Sequence, residues 1–595
     1  MPKTYIYDVE VFNNFFLAIF KEKSRPRWEI FEVSPWVDNR TELKIFLDTS
    51  PNLIGFNNLS YDNKILSKFL ELFEKKITVE DFCIRLKRHS DRCIKSKSID
   101  PSFKSLDLYR VWHFNNKARA MSLKAVQAAI KFENILESSV DFSDDVTLDS
   151  RFEIIEYCKN DVKSTEEFLK ISKDKIQLRK ELSEKFSTDF TNTPDASIGE
   201  KIFSHYLSEA LDIDEEFLSK MRSERSKIFV KDIIIPEIEF NTEHFKAVLE
   251  HFNNLIVDLS DEKKFKLKIT HNNTVYDFGL GGIHALNKKK SWKTTDSHVI
   301  LDLDVVSYYP NLCIEQGWFP EHLTEKFVVV YKRIVEERKQ HAKGTAMNAG
   351  LKLASNGSYG KFKDINSFLY DPEVTYKITI NGQLLLLMLN EWMIEEGIEI
   401  ISSNTDGTSL YVPVEKEKTV LELISKWENL TGLKFEVVKY DAMYYRDVNN
   451  YIWIKSGEQP KLKGVFEIVK EIHKDQSCKV VAKSLVNYYS KNIPVEETLS
   501  KCELEDFFVF QRVKSNCVLN TEDDAGLEKQ QKVTRFIVTN SGKRLLRKYE
   551  DRDVGVAVGK KVTILNDLSK INITKSDIDM SFYREKIIKI INAVK

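Results

Sequence analysis

Val299, Ile300, Leu301 and Leu303 form a short apolar run interrupted by Asp302 and Asp304, and the turn-like stretch Ser307-Tyr308-Tyr309-Pro310 follows at once. Such a run suits a strand packed in a core, where an uncompensated carboxylate costs on the order of several kcal/mol. Two arrangements relieve that cost. Either a cation sits beside the aspartates, or Asp304 caps a helix or turn that begins near Ser307.

Other segments repeat the theme. Ile398–Ser402 and Thr408–Val412 alternate as strands around Asn404-Thr405-Asp406-Gly407, and an Asp-Gly pair between such runs marks a hairpin. A helix-compatible stretch, Ala346–Phe362, sets Lys352, Asn356 and Tyr359 at i, i+4 and i+7, hence on one face. A face of lysine, asparagine and tyrosine suits a triphosphate and a base. Arg338 and Lys343 in the preceding basic stretch are further candidate phosphate ligands, with Lys339 competing for the position. Near the N-terminus, Asp8 and Glu10 stand at i and i+2 of a strand pattern and so share a face. Asn58-x2-Tyr61-Asp62 follows an apolar strand end, and Tyr157 and Asp161 lie at i and i+4 of a helical pattern. Ser122-Leu123-x2-Val126 opens another helical turn, where an N-cap serine is an equal reading. Each segment alone has a bland explanation: a surface pair, a tight turn, a cap.

Length allows three or four units of roughly 100 to 200 residues each. Lys plus Arg (90) and Asp plus Glu (91) nearly cancel, so net charge decides nothing about a nucleic-acid partner. Basic clusters occur locally, at Lys87–Lys97, Lys288–Lys293 and Arg333–Lys343. Seven scattered cysteines, never spaced C-x2-C, fit a reduced intracellular protein without a zinc or iron-sulfur module. The N-terminus lacks a signal-peptide core. The longest apolar run, Leu384–Leu389, is far short of the ~20 residues that span a bilayer. A soluble, cytoplasmic protein is expected.

Taken in order, the segments around Asp304, Lys352 and Asp406 resemble motifs A, B and C of family B (alpha-like) DNA polymerases, especially the compact phage-type members with an N-terminal 3'-5' exonuclease. That family's motif A reads D-x-x-S-L-Y-P; here it is Asp304-Val305-Val306-Ser307-Tyr308-Tyr309-Pro310, differing at the leucine. Asp8-x-Glu10, Asn58-x2-Tyr61-Asp62 and Tyr157-x3-Asp161 resemble the Exo I, II and III segments.

The resemblance implies an α+β multidomain fold: an RNase H-like exonuclease domain over residues 1–175, then a right-hand polymerase. Its parts would be the connection and start of the palm (176–300), palm with motif A (301–323), fingers with motif B (324–362), palm with motif C (363–469), and thumb with the C-terminal region (470–595). It implies two Mg2+ held by Asp304, Asp406 and the Val305 carbonyl, and two more held by Asp8, Glu10, Asp62 and Asp161, with Mn2+ as a substitute. Tyr157 would orient the attacking water. Lys352, Asn356, Tyr359, Ser307, Arg338 and Lys343 would contact the dNTP, while Tyr309 would exclude a ribose 2' hydroxyl. Asn58, Tyr61, Ser122 and Leu123 would grip single-stranded DNA, and Tyr451, Lys461 and Lys463 the primer end. Gly281-Gly282 resembles the glycine pair that joins the two modules in protein-primed relatives, although Gly279 stands where a tyrosine is usual; a plain glycine loop is an equal reading.

One departure matters. The family's D-T-D in motif C is Asn404-Thr405-Asp406 here, one charge fewer at the site. The intervals Asp304 to Lys352 (48 residues) and Gly360 to Asp406 (46 residues) leave no room for an extra subdomain; protein-primed members of the family carry insertions in both, so the resemblance implies extension of a nucleic-acid primer with weak strand displacement. The expected partners are primer-template DNA, dNTPs, a single-strand-binding protein and a helicase. No membrane partner is expected, a monomer is expected, and the setting the resemblance implies is viral or mobile-element DNA replication in a host cytoplasm. Two rivals stand beside this reading: a 3'-5' exonuclease on a degenerate polymerase fold, and a non-catalytic DNA-binding replication factor.

Overall fold

Along the first strand, Thr4–Val11, the buried side chains Tyr5, Tyr7, Val9 and Val11 line one face, and Ile6, Asp8 and Glu10 the other. This alternation decides where the N-terminal carboxylates point. The computed structural model describes residues 2–96, 98–261, 265–514, 516–549 and 552–594; Lys97, the end of one basic cluster, lies outside the described residues. The fold is mixed α/β and divides into two compact units. One comprises Met1–Asp195, Val469–Lys479 and Cys502–Phe582, the other Ala196–Ile468, Val480–Lys501 and Tyr583–Lys595. The C-terminal stretch expected as one region from residue 470 is thus divided between them.

The first unit is built on a five-stranded sheet in the order Trp28–Val33, Phe16–Glu22, Thr4–Val11, Asn52–Gly55, Ser105–Asp107. The first three strands are antiparallel, and the last two run parallel to Thr4–Val11. Helices Asp62–Phe73 and Val79–Cys93 bury Ile65, Leu66, Phe69, Phe82 and Leu86 on the face of Tyr5 and Val9. Helix Leu148–Ile171 sets Ile154, Cys158 and Val162 on the carboxylate face. Two small antiparallel sheets from residues 509–564 complete the unit.

The second unit centres on a seven-stranded antiparallel sheet: Phe435–Tyr440, His298–Val305, Gly407–Pro413, Glu399–Asn404, Gly282–Asn287, Thr274–Gly279, Leu267–His271. Helix Pro372–Glu395 covers it and carries the apolar run of Leu384–Leu389 into the core. Among the described residues no helix is long and apolar enough to cross a membrane. Helices Lys326–Gln340 and Ala346–Lys361 form a pair, and Asp195–Leu211 rests on it. There a Cβ at Gly199 would stand 2.7 Å from Ala354 Cα, so only glycine permits the approach. The apolar run Ile228–Ile238, which reads as a strand, is one only over Lys227–Phe229. Beyond it Pro236 has no N–H to give a ladder, and the Ile235 amide is taken by Asn381 Oδ1 at 2.8 Å.

Candidate active sites

In the second unit, the strand His298–Val305 pairs with Gly407–Pro413 in a register that sets Asp304 opposite Gly407. The tip between the two hairpin strands places Thr405 in the left-handed region (φ 55°). A side chain at Gly407 would strike Leu303 O at 2.5 Å, so the tip can lie directly against the first strand. The Val305 amide donates to Asp406 O at 2.9 Å, closing the corner.

Asp302, Asp304 and Asp406 therefore line one cavity of about 70 Å³ with Asn404, Tyr451 and Lys461. Loss of hydration, then the charges of Asp406 and Asp302, push the Asp304 carboxyl up to about 6. Burial also raises Asp406, against the pull of Lys461 and Lys463. Asp302, 6% exposed, accepts from Ser409 Oγ at 2.8 Å and lies 3.5 Å from Lys461 Nζ. Lys461 and Lys463 come from the strand paired with Asn450–Ile454, and Lys461 also sits 4.2 Å above the Trp453 ring. Crowded hard oxygens of one sign are the donor set that a divalent cation relieves. Asp304 does not cap the helix that follows: Tyr308–Glu315 has Ser307 as its N-cap, without a side-chain cap bond.

Tyr308 is buried and donates to Gly382 O at 2.7 Å. Tyr309 donates to Gly281 O at 3.2 Å and meets the Tyr359 ring edge to face at 4.9 Å. That contact joins the turn Ser307–Pro310 to helix Ala346–Lys361, whose Lys352 and Asn356 are exposed while Leu351, Ala354 and Ser358 are buried. Arg338 is half-buried in the last turn of the preceding helix, and Lys343 is exposed in the connection. Asn404 Oδ1 lies 2.7 Å from His284 Nδ1.

In the first unit, Asp8, Glu10, Asp62 and Asp161 converge on one face of the sheet. Asp62 Oδ1 accepts from the Val9 amide at 3.2 Å. Burial, then Glu10, Asp62 and Asp161, push Asp8 well up; burial and then Asp161 do the same to Glu10, and burial lifts Asp62 to about 7. Asp161 Oδ1 accepts from Gln127 Nε2 at 2.9 Å and from Lys124 Nζ. The same ammonium lies 4.1 Å from the Tyr157 ring. Cys158 Sγ lies 3.7 Å from Asp8 Oδ2.

No family model and no curated protein matches the chain. Among solved structures it is similar to the family B DNA polymerase of the hyperthermophilic archaeon Pyrobaculum calidifontis, at 15% identity over 100% of this chain and 78% of that one, with a TM-score of 0.42.

Four residues with expected DNA contacts are placed differently from the carboxylates. Asn58 is fully buried against Gly55, and Tyr61 turns its hydroxyl to Ser90 Oγ at 2.7 Å. Ser122 caps the helix Leu123–Ala129 by accepting from the Ala125 amide at 3.2 Å, and Leu123 is half-buried. Sequence reasoning missed Lys124 and Gln127, although their i, i+3 spacing on one helix face was available as a signal. It also missed Cys158, and it missed Asp107, whose buried carboxylate accepts from the Asn57 and Tyr109 amides at 2.9 and 3.0 Å and so shapes the turn before Asp62. No short motif marks those two.

Proposed function

We propose that the chain is a template-directed DNA polymerase that adds deoxynucleotides to a primer 3' end, with a 3'-5' exonuclease in its first unit. The observation that carries the reading is the register pair Asp304–Gly407, which sets Asp304 and Asp406 side by side at a strand corner. The Tyr309–Tyr359 contact brings the phosphate-suited helix to that corner.

The donor set is all oxygen and fits Mg2+, with Mn2+ as a substitute. Asp304 and Asp406 would hold two ions together with the Val305 carbonyl. Ions bound there would lower the pKa of the primer hydroxyl and neutralise the triphosphate. The chain's own residues do the rest. Lys352 draws charge from the phosphates as the 3' oxygen bonds to the α-phosphorus and pyrophosphate leaves. Tyr309, fixed against Gly281 and Tyr359, fills the space a 2' hydroxyl would need. Lys461 and Lys463 approach the primer end from the neighbouring strand. In the first unit Asp8, Glu10, Asp62 and Asp161 would hold a second ion pair, and Tyr157 would orient the water that attacks the terminal phosphodiester.

One observation favours a second reading: Asn404 offers an amide where a further carboxylate would strengthen ion binding, which suits an exonuclease on a silent polymerase fold. A 5'-labelled primer on a longer template, incubated with Mg2+ with and without dNTPs, separates the two. Lengthening that vanishes in Asp406→Ala, beside shortening that vanishes in Asp8→Ala, supports both activities. Shortening in every lane, with no lengthening in the wild type, supports the second.

A further inference from the structure

The residues that meet Asp161 come from the helix Leu123–Ala129, which has only seven residues. A helix this short needs tertiary support to hold its place. Beyond it the chain turns at Lys131 (φ 57°), and the Phe132 amide donates back to Gln127 O at 2.8 Å. The carbonyls of the next two residues do not face water. Phe132 O accepts from Arg535 Nη1 at 2.9 Å and Glu133 O from Arg535 Nη2 at 3.1 Å. The same guanidinium donates to Leu565 O at 2.7 Å and Asn566 O at 3.0 Å.

Arg535 is fully buried, and among the described residues its guanidinium donates to backbone carbonyls alone. Burial pulls its pKa down to about 10. A buried guanidinium without a bonded carboxylate is costly for a fold to keep, and a shorter or neutral side chain could not reach four carbonyls in two strands of chain. Its neighbours make the same connection. The Ile135 amide donates to Asn566 O at 2.9 Å, the Leu568 amide to Glu133 O at 2.9 Å, and Glu137 accepts from the Lys532 and Val533 amides at 2.9 and 3.2 Å. Ala128, Ile135 and Val533 pack together beneath them. From the other side, Asn160 Nδ2 donates to Asn134 O at 3.1 Å, and Asn160 is the residue before Asp161.

The geometry points to Arg535 as a positioning residue for the carboxylate site of the first unit. Through Phe132 and Glu133 it fixes the register of helix Leu123–Ala129 against helix Leu148–Ile171, so that Lys124 and Gln127 meet Asp161. This rests on the exonuclease reading above for its consequence, but the clamp itself does not.

The test uses the full chain with Arg535→Met, Arg535→Lys and Gln127→Leu, and the Arg535→Met/Gln127→Leu double variant. Hydrogen exchange reads the clamp directly. Arg535→Met should speed exchange over residues 123–137, with the strand Thr4–Val11 unchanged and Arg535→Lys intermediate. In activity, Arg535→Met should lower excision about tenfold and raise the Mg2+ concentration giving half-maximal excision, while dNTP-dependent extension holds. The double variant should be no worse than the poorer single one, because coupled residues are not additive. Unchanged exchange over 123–137 overturns the clamp. Faster exchange there with full excision and unshifted Mg2+ dependence, or additive losses in the double variant, overturns the positioning role. Faster exchange across both units together with lost extension marks misfolding of Arg535→Met, and Arg535→Lys then decides by the same two readouts. A wild type that excises nothing removes the exonuclease reading, and exchange still judges the clamp.

Discussion

The imidazole Nδ1 of His284 lies 2.7 Å from Asn404 Oδ1, across the register pair that joins the strands Gly282–Asn287 and Glu399–Asn404. An amide oxygen only accepts, so the imidazole is the donor in this contact. Thr405 Oγ1 donates to the same oxygen at 3.1 Å. The two donors hold Asn404, two residues before Asp406. His284→Ala removes a hydrogen bond of about 1 to 1.5 kcal/mol and should slow primer extension about tenfold, leaving 3' shortening as the internal control. Asn404→Asp keeps an acceptor for His284 and adds a charge beside Asp406. Titrating Mg2+ should show half-maximal extension at a lower concentration than in the wild type.

Gly282 has φ 141°, and a Cβ there would sit 3.3 Å from the Tyr309 hydroxyl. Gly282→Ala is both strained and crowded, at about 1 to 2 kcal/mol, and pushes Tyr309 from its place. Lower melting temperature with greater ribonucleotide incorporation is expected. Tyr309→Val should show the second effect without the first, measured as the ratio of rNTP to dNTP extension.

The raised carboxylates give the metal-free protein an unusual pH response. Asp62 near 7, Asp304 near 6 and Asp107 near 6 each bind a proton more tightly folded than unfolded, where Asp titrates near ~3.9. Their stabilising contribution is full below the unfolded value and is lost as pH rises through about 6 to 7. Melting with EDTA between pH 5 and 8 should fall more steeply for the wild type than for Asp62→Asn, and Mg2+ should remove the difference.

Glu391 is fully buried in helix Pro372–Glu395, and its carboxylate accepts from the Asn241 and Thr242 amides at 2.9 and 2.8 Å and from Thr242 Oγ1 at 2.7 Å. It caps the helix Glu243–Asn253 from across the core. Glu391→Ala strands those amides and should cost about 2 to 4 kcal/mol, read as a lower urea midpoint. Glu391→Gln should fall between, since only one of its two terminal atoms accepts.

What was legible in the sequence was local. The hairpin around Asp406, the helix that puts Lys352, Asn356 and Tyr359 on one face, and the strand that turns Asp8 and Glu10 together follow from period and turn chemistry. Asp302 and Asp304 stood out because carboxylates break an apolar run. The unread part depends on chain that comes back from far away. Nothing near Lys124 says that it will meet Asp161, because the meeting requires two helices to dock. Nothing near Arg535 says that its acceptors lie at Phe132 and Glu133. Asn58 and Tyr61 show the converse: a motif fixes residue types, and whether they face a groove or the core is decided by neighbours such as Gly55 and Ser90.

Arg535 and Phe132 are 403 residues apart, and that distance has a meaning in time. A ribosome adding about 5 to 20 residues per second needs roughly 20 to 80 s to travel between them. Through that interval the emerging chain holds the segment after Ala129 with its carbonyls unclaimed and Ala128 and Ile135 uncovered. The segment around Phe132 therefore waits for most of the chain before it is covered, and a chain that stops before Arg535 leaves it permanently unfinished, a ready substrate for chaperones and proteases.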